Sequence, residues 1–136
     1  MMYEKTAATI VAEIDAVLKR LDDSQIEAFI QEILKAKRIV LIGVGREGLS
    51  TRAFTMRLMH MGFDAYVVNE TVTPNIEPGD VLLVGSGSGE TGCTLAVVNK
   101  AKAAGAKVAA LTRVPDSSLG RAADLRLTLR AETPED

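Results

Sequence analysis

Five short apolar runs in the second part of the chain constrain its fold more than any other feature. Each run is four or five residues long, and most are apolar almost throughout, which is typical of parallel strands buried on both faces of a sheet. Helical patterns fill two of the gaps, at residues 49–61 and 94–104, and a glycine follows each where a helix C-terminus is expected. Strands alternating with helices predict an α/β fold with an open parallel sheet. The runs lie at residues 38–42, 65–68, 81–84, 107–111 and 125–129.

Residues 3–36 have the pattern of two amphipathic helices instead. In the first, apolar residues recur at spacings of three and one along one helical face. Ser24 and Glu27 predict a capping box at the start of the second. We expect a helical hairpin whose apolar face covers the sheet or another subunit. The first stripe comprises Ala7, Ile10, Val11, Ile14, Val17, Leu18 and Leu21, and the second comprises Ile26, Phe29, Ile30, Ile33 and Leu34.

Size and composition fit one globular domain. A chain of 136 residues, 47% apolar and 25% charged, is too short for two independent cores. We expect helices over residues 1–36, an α/β core over 37–130 and a frayed tail over 131–136. A net charge of −2 with scattered basic residues argues against a nucleic-acid partner, and no apolar stretch approaches the roughly 20 residues that span a membrane.

Cys93 and His60 are each the single residue of their type. One cysteine cannot form an internal disulfide, which favours a cytoplasmic location. One cysteine and one histidine argue against a zinc site within the chain. We therefore expect no metal and no cofactor, and we expect Cys93 to be a small core residue.

Two glycine-rich loops follow the first and third apolar runs, and each precedes a helix. Ligands of open α/β sheets bind beyond the carboxyl ends of the strands, where the strand order reverses. In the order 2-1-3-4-5 the first and third strands flank that point, so both loops face one crevice. The loops read Gly43-Val44-Gly45-Arg46-Glu47-Gly48 and Gly85-Ser86-Gly87-Ser88-Gly89-Glu90-Thr91-Gly92.

The second loop has the chemistry of an anion site. Its glycines let the backbone approach a ligand, its hydroxyls add donors, and the following helix adds the positive end of its dipole. It lacks the lysine of a Walker phosphate loop, and it suits the terminal phosphate of a small metabolite. A tight strand–helix connection without a ligand is the alternative. The candidate phosphate-binding residues are Ser86, Gly87, Ser88, Gly89 and Thr91.

The first loop matches the G-x-G-x-x-G pattern of dinucleotide sites. Such a site also needs an acidic residue roughly 20 positions further on, and Glu70 lies 22 residues after Gly48. An NAD(P)-binding domain therefore stays open as an alternative. A dinucleotide site does not, however, require the serine-rich second loop.

Five segments have a distinctive sequence: GVGREGL at 43–49, AFTMRLMHMG at 53–62, NETVTP at 69–74, SGSGET at 86–91 and DSSL at 116–119. Together they resemble the SIS (sugar isomerase) domain of the 6-phospho-3-hexuloisomerase family, over residues 38–130. The resemblance implies a flavodoxin-like five-stranded sheet and interconversion of 3-hexulose 6-phosphate and fructose 6-phosphate. It also implies a homotetramer or dimer with sites near subunit interfaces. By residue match, Ser86, Ser88 and Thr91 would hold the phosphate, beside the turn at residues 45–48.

Two departures from the family pattern stand out. Glu47 occupies a position where the family usually has serine, and a carboxylate 4 Å from a phosphate charge is repelled by about 4 kcal/mol at an effective dielectric near 20. Glu47 must turn away, pair with Arg46 or Arg52, or change the ligand. The family also continues after the fifth strand with a helical segment carrying its favoured base, which residues 131–136 do not match. A sugar-phosphate-binding module without isomerase activity is therefore a second alternative.

An isomerisation through an enediol needs a base for the carbon-bound proton and a donor for the developing oxyanion. Glu47 and His60 are the candidate catalytic residues. His60 lies roughly 18 Å along a helix from Gly48, so it would serve the site of a neighbouring subunit across an interface. The pattern does not identify the sugar or the number of subunits. The expected pocket-lining residues are Gly43, Gly45, Arg46, Gly48, Glu70 and Glu90.

Overall fold

The computed structural model describes residues 1–131, which form five helices and one sheet of five parallel strands. The strand order is β2-β1-β3-β4-β5, which confirms the predicted flavodoxin-like topology. The strands are β1 (Ile39–Ile42), β2 (Ala65–Val67), β3 (Val81–Gly85), β4 (Lys107–Thr112) and β5 (Leu125–Thr128). The helices are α1 (Met2–Lys19), α2 (Asp23–Lys35), α3 (Arg46–His60), α4 (Gly92–Ala103) and α5 (Ser118–Ala122).

The sheet is buried on both faces, which explains why its strands read as apolar runs. One face packs on α4 and α5, where Leu82 and Val108 lie in one core with Val98 and Leu119. The other face packs on α2 and α3, where Leu58 joins a second core with Ile39, Leu41 and Leu83. No helix within residues 1–131 combines the length and the hydropathy needed to cross a membrane.

The two N-terminal helices form as predicted, but they behave differently. Phe29 and Ile33 of α2 pack against the sheet, whereas α1 has no buried residue. The apolar stripe of α1 is exposed, with Ile14 at 54% and Leu18 at 57%. Helix α1 therefore projects from the α/β core instead of covering it.

Helix α2 starts with a different cap from the one predicted. Asp22 is the N-cap residue, and its Oδ1 accepts hydrogen bonds from the N–H groups of Ser24 at 2.8 Å and Gln25 at 3.3 Å. The predicted N-cap, Ser24, was wrong, because Asp22 two residues earlier is an equally good acceptor and caps the helix instead.

A buried ion pair joins the amino ends of β1 and β3. The Nε and Nη2 atoms of Arg38 donate to the two carboxylate oxygens of Asp80 at 3.0 and 2.8 Å, and the N–H of Glu77 donates to Asp80 at 2.8 Å. Burial raises the pKa of Asp80, but these hydrogen bonds outweigh it and hold that pKa below its ordinary value. The pair secures the sheet at the edge opposite the glycine loops.

Candidate functional site

Two helices begin at the crevice without a side-chain cap. Helix α3 follows β1 with Gly45, which has no side chain, as its N-cap. Helix α4 follows the neighbouring β3 with Thr91 as its N-cap, and the Thr91 side chain makes no capping hydrogen bond. By contrast, Ser117 caps α5 by accepting a hydrogen bond from the N–H of Gly120 at 3.1 Å. The first N–H groups of a helix have no acceptor within it. Both α3 and α4 therefore direct N–H groups and a positive dipole end toward the crevice.

The glycines of the first loop are required by close packing. A Cβ at Gly43 would lie 2.6 Å from the carbonyl oxygen of Glu47, and a Cβ at Gly48 would lie 2.8 Å from the carbonyl oxygen of Gly43. Gly45 has φ +63°, a conformation that favours glycine. The G-x-G-x-x-G spacing thus follows from a tight turn packed on α3, with no need for a dinucleotide.

The hydroxyls of the second loop hold the loop itself in shape. The buried Oγ of Ser86 accepts a hydrogen bond from the N–H of Gly89 at 3.1 Å and lies 3.3 Å from the Oγ1 of Thr91. The Oγ of Ser88 accepts from the N–H of Glu90 at 3.2 Å. The loop therefore enters α4 in a defined conformation that presents the helix N-terminus to the crevice.

Glu90 lies in this loop but is bound elsewhere. Its carboxylate accepts hydrogen bonds from the N–H of Ser118 at 2.5 Å and from the Oγ of Ser118 at 2.8 Å. The backbone hydrogen bond and then the side-chain hydrogen bond lower the pKa of Glu90. The lowered pKa makes this carboxylate a weaker base, and its oxygens are already engaged by Ser118 at the start of α5.

Glu47 lies over the carboxyl end of β3. Its Oε2 atom is 3.0 Å from the position that a Cβ at Gly85 would occupy. It lines a cavity of about 490 Å³ together with Arg46, Ser50 and other residues of the crevice. Of the other glutamates predicted for the site, Glu70 forms an ion pair with Arg52 and Glu90 accepts hydrogen bonds from Ser118. Glu47 has no ion pair within residues 1–131, and its carboxylate lies near the end of β3.

Glu70 follows β2 and is paired with Arg52 of α3, whose Nη1 donates to its Oε1. This pair engages the carboxylate that a dinucleotide site would offer to a ribose. Arg52 also lines a second cavity of about 230 Å³, which reaches Gly43, Gly48 and Cys93. Cys93 is exposed at the start of α4, so its prediction as a core residue was wrong.

His60 is exposed at the last position of α3. The carboxyl end of a crossover helix lies at the edge of the sheet where the next strand begins, which is opposite the crevice. The fold therefore does not bring His60 and Glu47 together within one chain. The role of His60 at a neighbouring subunit's site stays a prediction.

Two residues near the second loop were missed by sequence reasoning: Arg113, which lines the cavity, and Ser117, which is buried. Arg113 directly follows β4, and Ser117 lies against Gly89 of the second loop. The predicted strand order contained the necessary signal, because it makes β4 the neighbour of β3 and places the residues after both strands side by side.

Comparison with known proteins identifies the type of domain. A family model described as the SIS domain matches residues 32–135. A protein from Bacillus subtilis named 3-hexulose-6-phosphate isomerase is 40% identical over 136 residues, which cover 100% of this chain and 73% of that protein. A protein of the same name from Mycobacterium gastri is 39% identical over 91% of this chain and 62% of its own length.

A solved structure gives the same result. A protein from Methanococcus jannaschii, whose crystal structure was taken to infer a molecular function of 3-hexulose-6-phosphate isomerase, superposes with a TM-score of 0.78 at 39% identity. The match covers 82% of this chain and 63% of that one. The chain thus spans 62% to 73% of the length of these three proteins.

Proposed function

Because the chain belongs to the SIS domain family, we propose that it is a sugar-phosphate isomerase that interconverts 3-hexulose 6-phosphate and fructose 6-phosphate through an enediol. The names of the Bacillus subtilis and Mycobacterium gastri relatives support this reaction. The observation that carries the proposal is the crevice between β1 and β3, where two uncapped helix N-termini converge. We further propose that the protein works in the cytoplasm.

The phosphate of the substrate would bind at the second loop. The N–H groups at the start of α4 supply donors, and the hydroxyls of Ser88 and Thr91 lie on the same loop. Ser86 supports the loop from inside, while Gly87 and Gly89 let the backbone approach the ligand. Gly43, Gly45 and Gly48 would shape the opposite wall.

Glu47 is our candidate for the base that removes the carbon-bound proton. It lies over the end of β3, within the cavity that Gly87 of the phosphate loop also lines. A carboxylate in that position can take a proton from the carbon next to the carbonyl group and return it to the neighbouring carbon. His60 of a neighbouring subunit is our candidate for the group that stabilises the enediol oxygen.

A neighbouring subunit is part of the proposal because of the apolar surface that one chain leaves exposed. Four residues of the α1 stripe and three residues of α3 are all 45% exposed or more: Ile10, Val11, Ile14 and Leu18, and Phe54, Met56 and Met59. An exposed patch of this kind on helices favours association. We therefore propose a homo-oligomer, a dimer or a tetramer, that covers these helices.

Thermal unfolding with and without fructose 6-phosphate tests the binding site. Ligand at 100 times its Kd stabilises the native protein by about 2.7 kcal/mol. Replacing Ser86 and Ser88 by alanine together should abolish this stabilisation, because the loop loses its internal supports and each hydrogen bond to an anion contributes about 1.5–3 kcal/mol. The matched control replaces Thr6 and Thr9, two exposed hydroxyls of α1, and should keep the response.

Turnover separates the isomerase from its alternatives. Incubation of the oligomer with fructose 6-phosphate in deuterated water should place deuterium at the reacting sugar carbons, and Glu47→Gln should suppress it. Stabilisation without deuterium incorporation would identify a binding module instead. A response to NAD or NADP but not to sugar phosphates would reject the phosphate site altogether.

A further inference from the structure

Arg113 is a cationic residue of the crevice that belongs to neither glycine loop. It directly follows β4, whose residues pair in register with β3 as far as Gly85 and Leu111. The pairing continues beyond the strands, because the N–H of Ser86 donates to the carbonyl of Leu111 at 3.0 Å and the N–H of Arg113 donates to the carbonyl of Gly87 at 3.1 Å. Arg113 is therefore held beside the second loop by the backbone ladder itself.

The guanidinium group lies directly against Gly87. A Cβ at Gly87 would be 3.3 Å from the Nε of Arg113, 3.7 Å from Nη2 and 4.0 Å from Cζ. Because Nε and Nη2 are nearer to this point than Cζ, the guanidinium presents its Nε–Nη2 edge to the loop. The lack of a side chain at position 87 allows this approach, so Gly87 and Arg113 form one structural unit.

A cation beside Glu47 suits a cavity that is to bind an anion. Among the residues that the structure describes, Arg46, Glu47 and Arg113 are the charged ones that line the cavity of about 490 Å³. A sugar phosphate brings up to two negative charges, which the carboxylate of Glu47 repels. Arg113 places a second guanidinium group next to that carboxylate.

The chemistry of a guanidinium fits a phosphate ester. It carries five N–H donors in a rigid fork, so it can contact the loop and an anion at the same time. Its geometry matches two oxygens of a phosphate group, and it keeps its charge at every physiological pH.

We propose that Arg113 binds the phosphate group of the substrate and offsets the charge of Glu47. It thereby sets the preference of the site for phosphorylated sugars over neutral ones. This inference rests on the proposed function, since it adds a residue that follows a third strand, β4, to the same crevice. Arg113 would work together with the start of α4, binding the anion from the side of β4.

Isothermal titration with fructose 6-phosphate and with inorganic phosphate tests the inference. Arg113→Gln should raise the Kd for both ligands about tenfold to a hundredfold, the range expected for one charge-assisted hydrogen bond. Arg113→Lys, which keeps the charge but loses the fork, should show a smaller increase. The matched control is Arg126→Gln. Arg126 lies in β5 and donates to the carbonyl of Gly120 in α5, so its replacement should leave both Kd values unchanged.

A second variant keeps the charge of Arg113 and changes only its position. Gly87→Ala should push the guanidinium away from the loop and raise the Kd for both ligands, although Arg113 itself is intact. In the Glu47→Ser background, Arg113→Gln should have a smaller effect on the Kd, because no carboxylate is left to offset.

The outcomes distinguish this inference from the proposed function. If the wild-type protein binds neither ligand, the proposed phosphate site is wrong and the inference falls with it. If the wild-type protein binds and Arg113→Gln binds equally well, the role of Arg113 alone is refuted. A lower Tm of the ligand-free variant with unchanged Kd values would also refute it, because Arg113 would then only support the loop.

Discussion

Gly89→Ala is the substitution for which the structure gives the most detailed expectation. Gly89 has φ +70°, and forcing another residue into this conformation costs roughly 1–2 kcal/mol. A Cβ at this position would also lie 1.9 Å from the Oγ of Ser117 and 2.5 Å from its Cβ. A change of rotamer can move the Oγ but not the Cβ, so the backbone of one segment must shift.

The rearrangement has a second cost at α5. Ser117 caps that helix through its Oγ, and losing a serine N-cap costs about 1 kcal/mol. Together with the backbone strain, we expect Gly89→Ala to lower the free energy of unfolding by roughly 2–4 kcal/mol. Displacement of the second loop should also weaken the stabilisation by fructose 6-phosphate.

Urea unfolding of a double-mutant cycle isolates the steric part. Ser117→Gly removes both clashing atoms, and glycine in place of a serine N-cap costs only a few tenths of a kcal/mol. In that background, Gly89→Ala should cost roughly 1–2 kcal/mol, which is the backbone strain alone. An equal cost of Gly89→Ala in both backgrounds would refute the clash, and a cost below about 0.5 kcal/mol in the wild-type background would refute the strain as well.

Two further predictions concern other parts of the molecule. Asp80→Asn should cost about 3 kcal/mol at pH 7, because it removes the buried carboxylate that binds Arg38 and leaves only the pair with the exposed Glu77. Folding lowers the pKa of Asp80, so the pair contributes its full stability at a pH above the ordinary aspartate pKa of about 3.9, and this stability is lost as the pH falls through the lower folded pKa. Urea unfolding at several pH values should therefore show the free energies of unfolding of wild type and variant converging in acid. A constant difference between them would contradict this. Ile14→Glu should reduce the molar mass measured by light scattering and leave the circular dichroism spectrum unchanged, because α1 has no buried residue in one chain. An unaltered molar mass would place the interface away from α1.

The sheet and its crevice could be predicted because their signals are local. Apolar runs such as residues 81–84 report burial on both faces, and glycine loops after two runs report where the chain turns over the sheet. The strand order then follows from the right-handed crossovers of parallel strands and from the resemblance to a known family. These patterns depend on residues close in sequence, so a single amino-acid sequence is sufficient to recognise them.

The errors concern side chains whose environment depends on distant segments. Cys93 reads as a core residue by type, but it begins α4 on the side of the crevice. The partner of Glu90 could not be predicted either, because its carboxylate accepts hydrogen bonds from Ser118, 28 residues away. The stripe of α1 left two alternatives, the sheet or another subunit; the chain's own core does not cover it, and the second alternative stays a prediction.

The choice between a dinucleotide and a sugar phosphate could not be made from the glycine spacing, because a tight turn packed on a helix produces the same spacing. In this chain Gly43 and Gly48 are required by backbone contacts within the turn and α3, whatever the ligand is. The discriminating features are Glu70, which is engaged by Arg52, and α4, whose N-terminus is left without a side-chain cap. A carboxylate that is already paired cannot readily bind a ribose, whereas uncapped N–H groups beside Arg113 can bind a phosphate. The geometry therefore favours an anion held between β3 and β4 over a nucleotide extended toward β2.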